Sequence, residues 1–449
     1  MFPEQLFAEH LDLKLTQIHE VLEKHGRDAA IIPAGVPHPV YWDDNYYPFK
    51  TNVHFSLFVP AGPLPNSYLI IVKGEQPTLV YYQPADYWHV VPDDPDPTWA
   101  QHFAIQVVRT TDEWTKYLPN NCATTVWLGE PEAEASQICG VENINPEAVV
   151  HELHYYRAVK TDYEIDRLAE ANVWAAQGHI AAKQAFLAGA SELDIHVAYL
   201  QASRHTEAEL PYGNIIALGP HSAILHYTEL EKTLPELHQR QSFLIDAGAK
   251  ANHYCSDITR TWSIDDQFTD MISDFDLLQQ ALIADIKPGV HYVELHQSTH
   301  LRIAEYMVKH DVLKVSAEEA VANNITATFF PHGLGHLLGL QVHDIGGHQQ
   351  NPAGDSQTPP QEHPFLRLTR TLEQGYCVTI EPGMYFIDLL LQQLRATKHG
   401  KAVNWSRVSE LKHFGGIRIE DDVIVTEFGY QNLTRQGFQK VMSNNSAQD

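Results

Sequence analysis

Basic side chains are the first shortage in this chain. Thirty Lys and Arg stand against 57 Asp and Glu, for a formal net charge of -27 over 449 residues. Such an excess repels phosphate backbones and anionic lipid surfaces, so neither nucleic acid nor a membrane is expected as a partner. Long apolar runs are missing too. No stretch approaches the ~20 apolar residues of a membrane-crossing helix. The opening MFPEQLFAEHLDLK has neither the basic start nor the apolar core of a signal peptide. Cysteine is scarce: Cys122, Cys139, Cys255 and Cys377 are scattered, with no C-x-x-C spacing. Reduced thiols and a cytoplasmic location are therefore expected rather than a disulfide framework. What is present is 44% hydrophobic and 19% charged, an ordinary globular composition. The length suits two or three domains of ~100–200 residues each. The surplus carboxylates are available to hard cations.

The first 158 residues read as a small α/β domain. Leu6, Leu13, Ile18, Val21 and Leu22 recur at near-helical spacing until Gly26. Residues 29–33, 68–72, 78–82, 105–108 and 124–128 read as strands, the second and third paired about a turn that holds Gly74. Asp43, Asp44, Tyr46 and Tyr47 form a polar, aromatic patch that is either a solvated loop or a cap over a site elsewhere. At Thr161 the pattern changes. Thr161 with Glu164 three residues on is a capping box, opening a helix through Ile165, Leu168, Ala175, Ala176 and Phe186 to Gly189. Ser191 with Asp194 starts another. The expected division is 1–158 and 159–449. Further along, 212–218, 223–227 and 242–247 read as short strands. Residues 271–286 and 293–308 read as helices parted by Lys287-Pro288-Gly289. Residues 349–364, with four prolines, read as a long loop of the kind that covers sites.

The densest chemistry lies in 331–344, PHGLGHLLGLQVHD. His332, His336 and His343 fall within twelve positions, interleaved with Gly333, Gly335 and Gly339. A zinc-protease helix would need Glu directly after the first His, where Gly333 stands, and each glycine costs roughly 1 kcal/mol in a helix interior. An extended, close-packed backbone that aims imidazoles at one point is the expectation. A single buried His is usually structural, whereas three among glycines, in a chain with spaced acidic motifs, point to a site. The segment alone leaves metal and nucleophile chemistry both open.

Three acidic motifs accompany it. In 243–262, FLIDAGAKANHYCSDITRTW, Asp257 follows Asp246 by eleven residues. A hairpin turning at Gly248 and Asn252 would bring the two carboxylates onto facing strands. In VTIEPG, Glu381 closes a β-branched run and Pro382 keeps it extended. In FGGIRIEDD, period two puts Ile417 and Ile419 on one face and Arg418 with Glu420 on the other. An Asp at a strand end is commonly a turn former, and a Glu commonly a surface ion-pair partner. Gathered with one His, however, two Asp and two Glu neutralise two divalent cations and can bridge them at ~3.5–4 Å. Oxygen-rich ligation with one imidazole suits manganese or cobalt(II), with zinc as an alternative.

In this order, DAG, DITRT, HGLGH…GLQVHD, EPG and GGIRIED resemble the pita-bread metallopeptidases. Among these the chain is most similar to the bacterial Xaa-Pro dipeptidases (prolidases) and their organophosphorus acid anhydrolase relatives. YYPFK (46–50), PYGNI (211–215) and HPFLRLTR (363–370) fit the same group. The resemblance implies an α+β protein, a small N-terminal α/β domain followed by a C-terminal pita-bread (creatinase/aminopeptidase-like) catalytic domain. It implies two divalent metal ions per subunit, manganese foremost, with Asp246 on one ion, His336 and Glu381 on the other, and Asp257 and Glu420 bridging. His226, His332 and His343 would then face substrate, with Glu381 also relaying a proton. Arg418 and Arg367 would meet the carboxylate of a C-terminal proline, and Tyr212, Tyr292 and Asp44 would line the pocket or contact the substrate amine. The implied enzyme is a homodimeric, metal-dependent dipeptidase working through a hydroxide shared by the metals, with side activity on organophosphorus P–F and P–O esters. Aminopeptidase P shares the motifs but takes longer peptides, and Arg367 with the 349–364 loop favours a dipeptide. Creatinase has the fold without this carboxylate set. A pita-bread binding module with a dead site would have lost ligands, and none is missing.

Overall fold

The computed structural model describes residues 2–132, 134–234 and 236–446. It divides into two units: the chain up to Arg157 with Thr161–Glu164 and Asn351–Asp355, and the remainder.

In the first unit a helix, Glu4–Lys24, buries Phe7, Leu11, Ile18, Val21 and Leu22, and ends where Gly26 takes φ +65°. The sheet contains β1 (Ala29–Pro33), β2 (Tyr68–Val72), β3 (Thr78–Tyr82), β4 (Ala104–Val108) and β5 (Thr125–Trp127), in the order β4-β3-β2-β1-β5. The interior strand β1, between β2 and β5, is buried at all five positions, as its unbroken apolar run requires. Tyr68 stacks on Trp114 at 4.1 Å between ring centroids, and Trp127 meets both edge-on. These strands lie within a residue of the segments expected from sequence. The capping box is present as well. Thr161 N–H donates to Glu164 Oε2 (3.0 Å) and Glu164 N–H to Thr161 Oγ1 (3.3 Å), at the start of helix Asp162–Leu187.

The second unit is built from short sheets. Strands β6 (Ile215–Leu218), β7 (Ser242–Asp246) and β10 (Thr259–Ser263) form one antiparallel sheet, with a two-residue hairpin, β8 (Lys250–Ala251) and β9 (Tyr254–Cys255), between the last two. Strands β11 (Cys377–Ile380), β14 (Asp421–Val425) and β15 (Tyr430–Asn432) form another, and β12 (Gly383–Tyr385) pairs with β13 (Gly416–Arg418). Isolated bridges, Thr259 to Glu420 and Leu337 to Val378, stitch these pieces together. Helices cover them. Phe186, Ile195 and Tyr199 pack on Ile216, Phe243 and Ile245, while Phe268, Phe275 and Met307 pack with Met384, Ile417 and Ile419. Each strand thus has one face sealed in core, and the polar strand ends converge on the other side.

Three sequence expectations shift. Residues 223–227 are not a strand: Gly219–Ala223 forms a 3-10 turn and His226 lies in the turn after it. The cause is local. Gly219 sits at φ +51°, and a Cβ there would lie 2.1 Å from the Gln239 carbonyl oxygen, so the backbone must turn away from extended geometry. Strand 212–218 begins only at Ile215, after Gly213. The 246/257 hairpin pairs Asp246 with Thr259, not with Asp257. Asn252 and His253, at φ +45° and +74°, supply the turn. Since the offset is two residues, Asp257 keeps the side-chain parity of Thr259 and stays on the face of Asp246.

One buried ion cluster fastens this unit. Asp421, fully buried at the head of β14, accepts hydrogen bonds from Arg260 Nη2 (2.6 Å), Arg435 Nε (2.7 Å) and Asn432 Nδ2 (2.8 Å). Burial pushes its carboxyl up, but Arg260 and Arg435 outweigh that and hold it at about 2. Asp421→Asn leaves the half-buried Arg260 without its carboxylate while Arg435 keeps Asp276, and we expect a loss of ~1–3 kcal/mol at pH 7 in denaturant unfolding. A depressed carboxylate stabilises above its ordinary pKa and loses that contribution as the pH falls through its folded value. The gap between wild type and variant should therefore narrow between pH 4 and pH 2; a gap constant over that range would contradict the assignment.

Candidate active site

The converging strand ends open into a cleft of about 670 Å³. Asp246, Asp257, His336, Glu381 and Glu420 all line it, with His226, His332, His343, Arg367 and Arg418. Each arrives by a simple local device. Asp246 is the last residue of β7, Asp257 leads into β10, Glu381 directly follows β11, and Glu420 stands between β13 and β14. The alternation expected in 417–420 is present: Ile417 and Ile419 enter the core while Arg418 and Glu420 face the cleft.

The histidine segment contains no helix. His336 is held from three sides. Its N–H donates to Thr379 Oγ1 (3.1 Å) and its Nδ1 bonds the Leu337 carbonyl (3.0 Å). That leaves Nε2 3.4 Å from Asp257 Oδ2 and 3.7 Å from Glu381 Oε1. A Cβ on the preceding Gly335 would lie 2.1 Å from the Thr379 carbonyl oxygen, so this approach to β11 requires glycine.

Charge is the dominant feature. Four carboxylates share the cleft with two guanidinium groups, Arg418 buried among them and Arg367 exposed on the lining, and Asp257, Arg418 and Glu420 are at most 5% exposed. Burial raises Asp246 to about 6 and Glu381 to about 7, and lifts Glu420 well above the carboxylate range. Asp257 alone is held low, because the hydrogen bond from His336 overcomes its burial. Conversely, Asp257 and Glu381 raise His336 against the pull of burial. Protein groups by themselves leave this set short of positive charge. Oxygen atoms of Asp257 and Glu420 and a nitrogen of His336 lie within 4.8 Å of one another, a donor set that fits hard or borderline divalent cations.

Around the carboxylates runs a web of hydrogen bonds. The Tyr212 hydroxyl lies 2.8 Å from Asp246 Oδ1 and 2.5 Å from Asp257 Oδ1. Thr259 Oγ1 donates to Glu420 Oε2 (2.7 Å) and accepts from Arg418 Nε (3.1 Å). Arg418 Nη2 holds Asp246 Oδ2 at 2.8 Å, and Nη1 donates to the Tyr385 hydroxyl (3.0 Å). That hydroxyl is 2.8 Å from His332 Nε2, and His332 Nδ1 bonds the Gly333 carbonyl (2.8 Å). The chain Arg418 to Tyr385 to His332 to Gly333 uses every donor once, which fixes His332 as the Nδ1–H tautomer. Burial, then Arg418, keeps His332 neutral with a pKa of about 3. Burial, then His336 and Arg367, lowers His343 to about 4.

Tyr212 and Tyr292 do not line the cleft; Tyr212 reaches it only by bonding Asp246 and Asp257. Tyr292 is fully buried behind the wall, its hydroxyl donating to the Thr379 carbonyl at 2.8 Å beneath Gly335. It supports the strand that holds His336. Asp44 is an exposed residue of the first unit. Sequence reading missed Thr259, Tyr385 and Thr379, which fasten Glu420, His332, Arg418 and His336. It also missed Asp422, fully buried and accepting from Asp257 N–H (3.1 Å) and Asn172 Nδ2 (2.8 Å). Thr259 inside DITRT, Thr379 inside VTIEPG and Asp422 beside Glu420 each had a motif to point at them, and Tyr385 had none.

Known proteins agree with this construction. Residues 5–155 match the family described as Xaa-Pro dipeptidase, N-terminal domain, and residues 166–427 match metallopeptidase family M24. The Xaa-Pro dipeptidase of Pseudoalteromonas haloplanktis is 44% identical over 96% of this chain and 98% of its own. That of Stenotrophomonas maltophilia (strain K279a) is 43% identical over 97% and 98%. Among solved structures, zinc-substituted E. coli aminopeptidase P in complex with product superimposes with a TM-score of 0.70 at 24% identity, covering 94% of this chain and 95% of that one. Proline aminopeptidase P II from Yersinia pestis gives 0.69 at 24% identity, covering 95% and 96%. The fold is therefore the pita-bread fold of these peptidases, and the chain belongs to metallopeptidase family M24, within its Xaa-Pro dipeptidase group.

Proposed function

We propose that this chain hydrolyses Xaa-Pro dipeptides with a pair of divalent metal ions, manganese foremost, which Asp246, Asp257, His336, Glu381 and Glu420 would hold, Asp257 and Glu420 serving both ions. The observation that carries the reading is four carboxylates gathered in one cleft with His336, where burial and then their mutual repulsion raise Asp246, Glu381 and Glu420 above their ordinary range. Bound there, the ions would acidify a water and polarise the scissile carbonyl.

The chain's own residues supply the rest. An Xaa-Pro bond is a tertiary amide with no N–H to hold, so recognition falls to the pocket's shape and to the free carboxylate of proline. Arg418 is expected from sequence to take that carboxylate ahead of Arg367. Three of its five N–H groups, however, already hold Thr259, Tyr385 and Asp246, and the last contact makes it the counter-charge of Asp246. Arg367, exposed on the cleft lining, is the better clamp. His332 has its N–H engaged with Gly333 and lies 3.7 Å from Glu381, so it positions that carboxylate. Donation to the developing oxyanion then falls to neutral His343 or to His226. Glu381, raised to about 7, is suited to accept a proton from the attacking water and return it to the leaving nitrogen.

The reading extends to a cytoplasmic homodimer, in which Asp44 contacts the substrate amine. Exposed Tyr41, Trp42, Tyr46 and Tyr47 beside Asp44 favour a protein interface there. Cys122, Cys139, Cys255 and Cys377 form no disulfide with one another, which suits a reducing compartment. Organophosphorus P–F and P–O esters of matching shape are secondary substrates.

Ala-Pro should be cleaved far faster than Ala-Pro-Ala; a preference for the tripeptide would replace a dipeptidase with an aminopeptidase P. Arg367→Met should raise KM for Ala-Pro by ~10–100-fold, the worth of a charged hydrogen bond. It should leave Ala-Pro-amide unaffected, and an equal loss on both substrates would remove Arg367 from the carboxylate. Metal loading should also release protons. Glu381 at about 7 and Asp246 at about 6 are protonated below those values, so manganese should displace more protons at pH 6 than at pH 8. Equal release, read with an indicator dye, would contradict ligation by these carboxylates.

A further inference from the structure

A second cluster of metal-ligating side chains stands apart from the carboxylates. Helix Tyr292–Lys309 carries His296 and His300 one turn apart, so both rings leave the same face. The chain returns to that face at His363. Ring centroids lie 4.8 Å (His296 to His300), 4.4 Å (His296 to His363) and 4.6 Å (His300 to His363) apart. One nitrogen from each ring lies within 4.8 Å of the other two. His296 and His300 are 1% and 2% exposed, and His363 is half-buried.

The hydrogen bonding is incomplete in a telling way. His300 Nδ1 is bonded to Thr326 Oγ1 at 2.8 Å, which leaves Nε2. That Nε2 and His296 Nδ1 are both sealed from solvent and have no hydrogen-bond partner among the described residues. A buried polar atom left unpaired costs ~1–3 kcal/mol, and two such nitrogens on adjacent rings of one three-histidine cluster are poorly explained by packing alone. A cation that accepts their lone pairs removes both costs.

We propose that His296, His300 and His363 form a third metal site, for a zinc-class transition ion, separate from the catalytic pair. Three nitrogen donors with a fourth position left for water is a recurring zinc arrangement, and the absence of a carboxylate disfavours manganese and magnesium. Thr326 orients His300 from behind, as outer partners of metal-bound imidazoles do. Burial lowers His296 to about 2 and His300 to about 3, so both present free bases at neutral pH and zinc has no proton to displace. Tetrahedral zinc with Zn–N of about 2.0–2.1 Å brings donors to ~3.4 Å from one another. The half-buried His363 can make that closure from its loop.

The site is separated from the cleft by the Phe330 ring, 5.1 Å from His300 on one side and 4.8 Å from His332 on the other. Its consequence reaches the cleft by another route. His363 immediately precedes Pro364, Phe365, Leu366 and Arg367, all on the cleft wall. An ion that ties His363 to the helix would fix that wall and steady Arg367.

The test is metal content after gel filtration of full-length protein loaded with manganese and then zinc, measured by plasma mass spectrometry. Asp257→Asn serves as the background in which the catalytic pair is weakened. We expect one zinc per chain in wild type and in Asp257→Asn, and its loss in His363→Gln and His300→Gln with manganese content unchanged. His363→Gln alters a half-buried loop side chain, so it reports even if His300→Gln fails to fold. Cobalt(II) offered in place of zinc should give a tetrahedral visible spectrum that His363→Gln abolishes. Equal zinc in His363→Gln and wild type, or no zinc retained by Asp257→Asn, would overturn the proposal.

Discussion

Four carboxylates pressed together around one guanidinium create the constraint that the second unit is built to satisfy. In water such a group would disperse. Here the short sheets prevent it, because each carboxylate is rooted at a strand end whose other face is sealed in core. The bridge between Thr259 and Glu420 joins two of those sheets at the point of greatest repulsion. Remaining negative charge is relieved by raising proton affinities, as at Asp246, Glu381 and Glu420, or by a cation. A site that holds its ligands against their own repulsion is preorganised for metal, and the local instability is offset by ion clusters such as Asp421 with Arg260 and Arg435.

Histidines here divide by what each ring nitrogen touches. His336 presents Nε2 to two carboxylates and is raised by them. His332 is locked in a one-way hydrogen-bond chain and stays neutral. His296 and His300 are neutral through burial and carry unmet lone pairs. One residue type thus serves as ligand, as strut and as an idle base, and the neighbours decide which.

Much of this was legible in the sequence for a physical reason. Strong local signals, such as the unbroken run of 29–33 or the Thr161–Glu164 capping box, fix elements to within a residue. Period two in 417–420 sorted core from cleft correctly because one face is fully buried. What failed depends on packing between distant segments. Gly219 forces a turn only because the Gln239 backbone lies against it, which no local pattern records. The Asp246 register depends on a hairpin with two left-handed residues inside the connection. Tyr385 carries no motif, Thr379 sits unremarked inside VTIEPG, and their roles exist only through partners 33 to 53 positions away. His296 and His300 were passed over because H-x-x-x-H on an amphipathic helix looks like ordinary core until His363 is brought beside it.

The central claim is that five side chains spread over residues 246–420 hold two cations in one cleft. Anomalous diffraction at the manganese edge, from crystals grown with manganese, tests it most directly. Two peaks about 3.5–4 Å apart are expected, both within ligand distance of Asp257 and Glu420. A cleft with no anomalous peak, or a single ion that touches neither bridging carboxylate, would contradict the account.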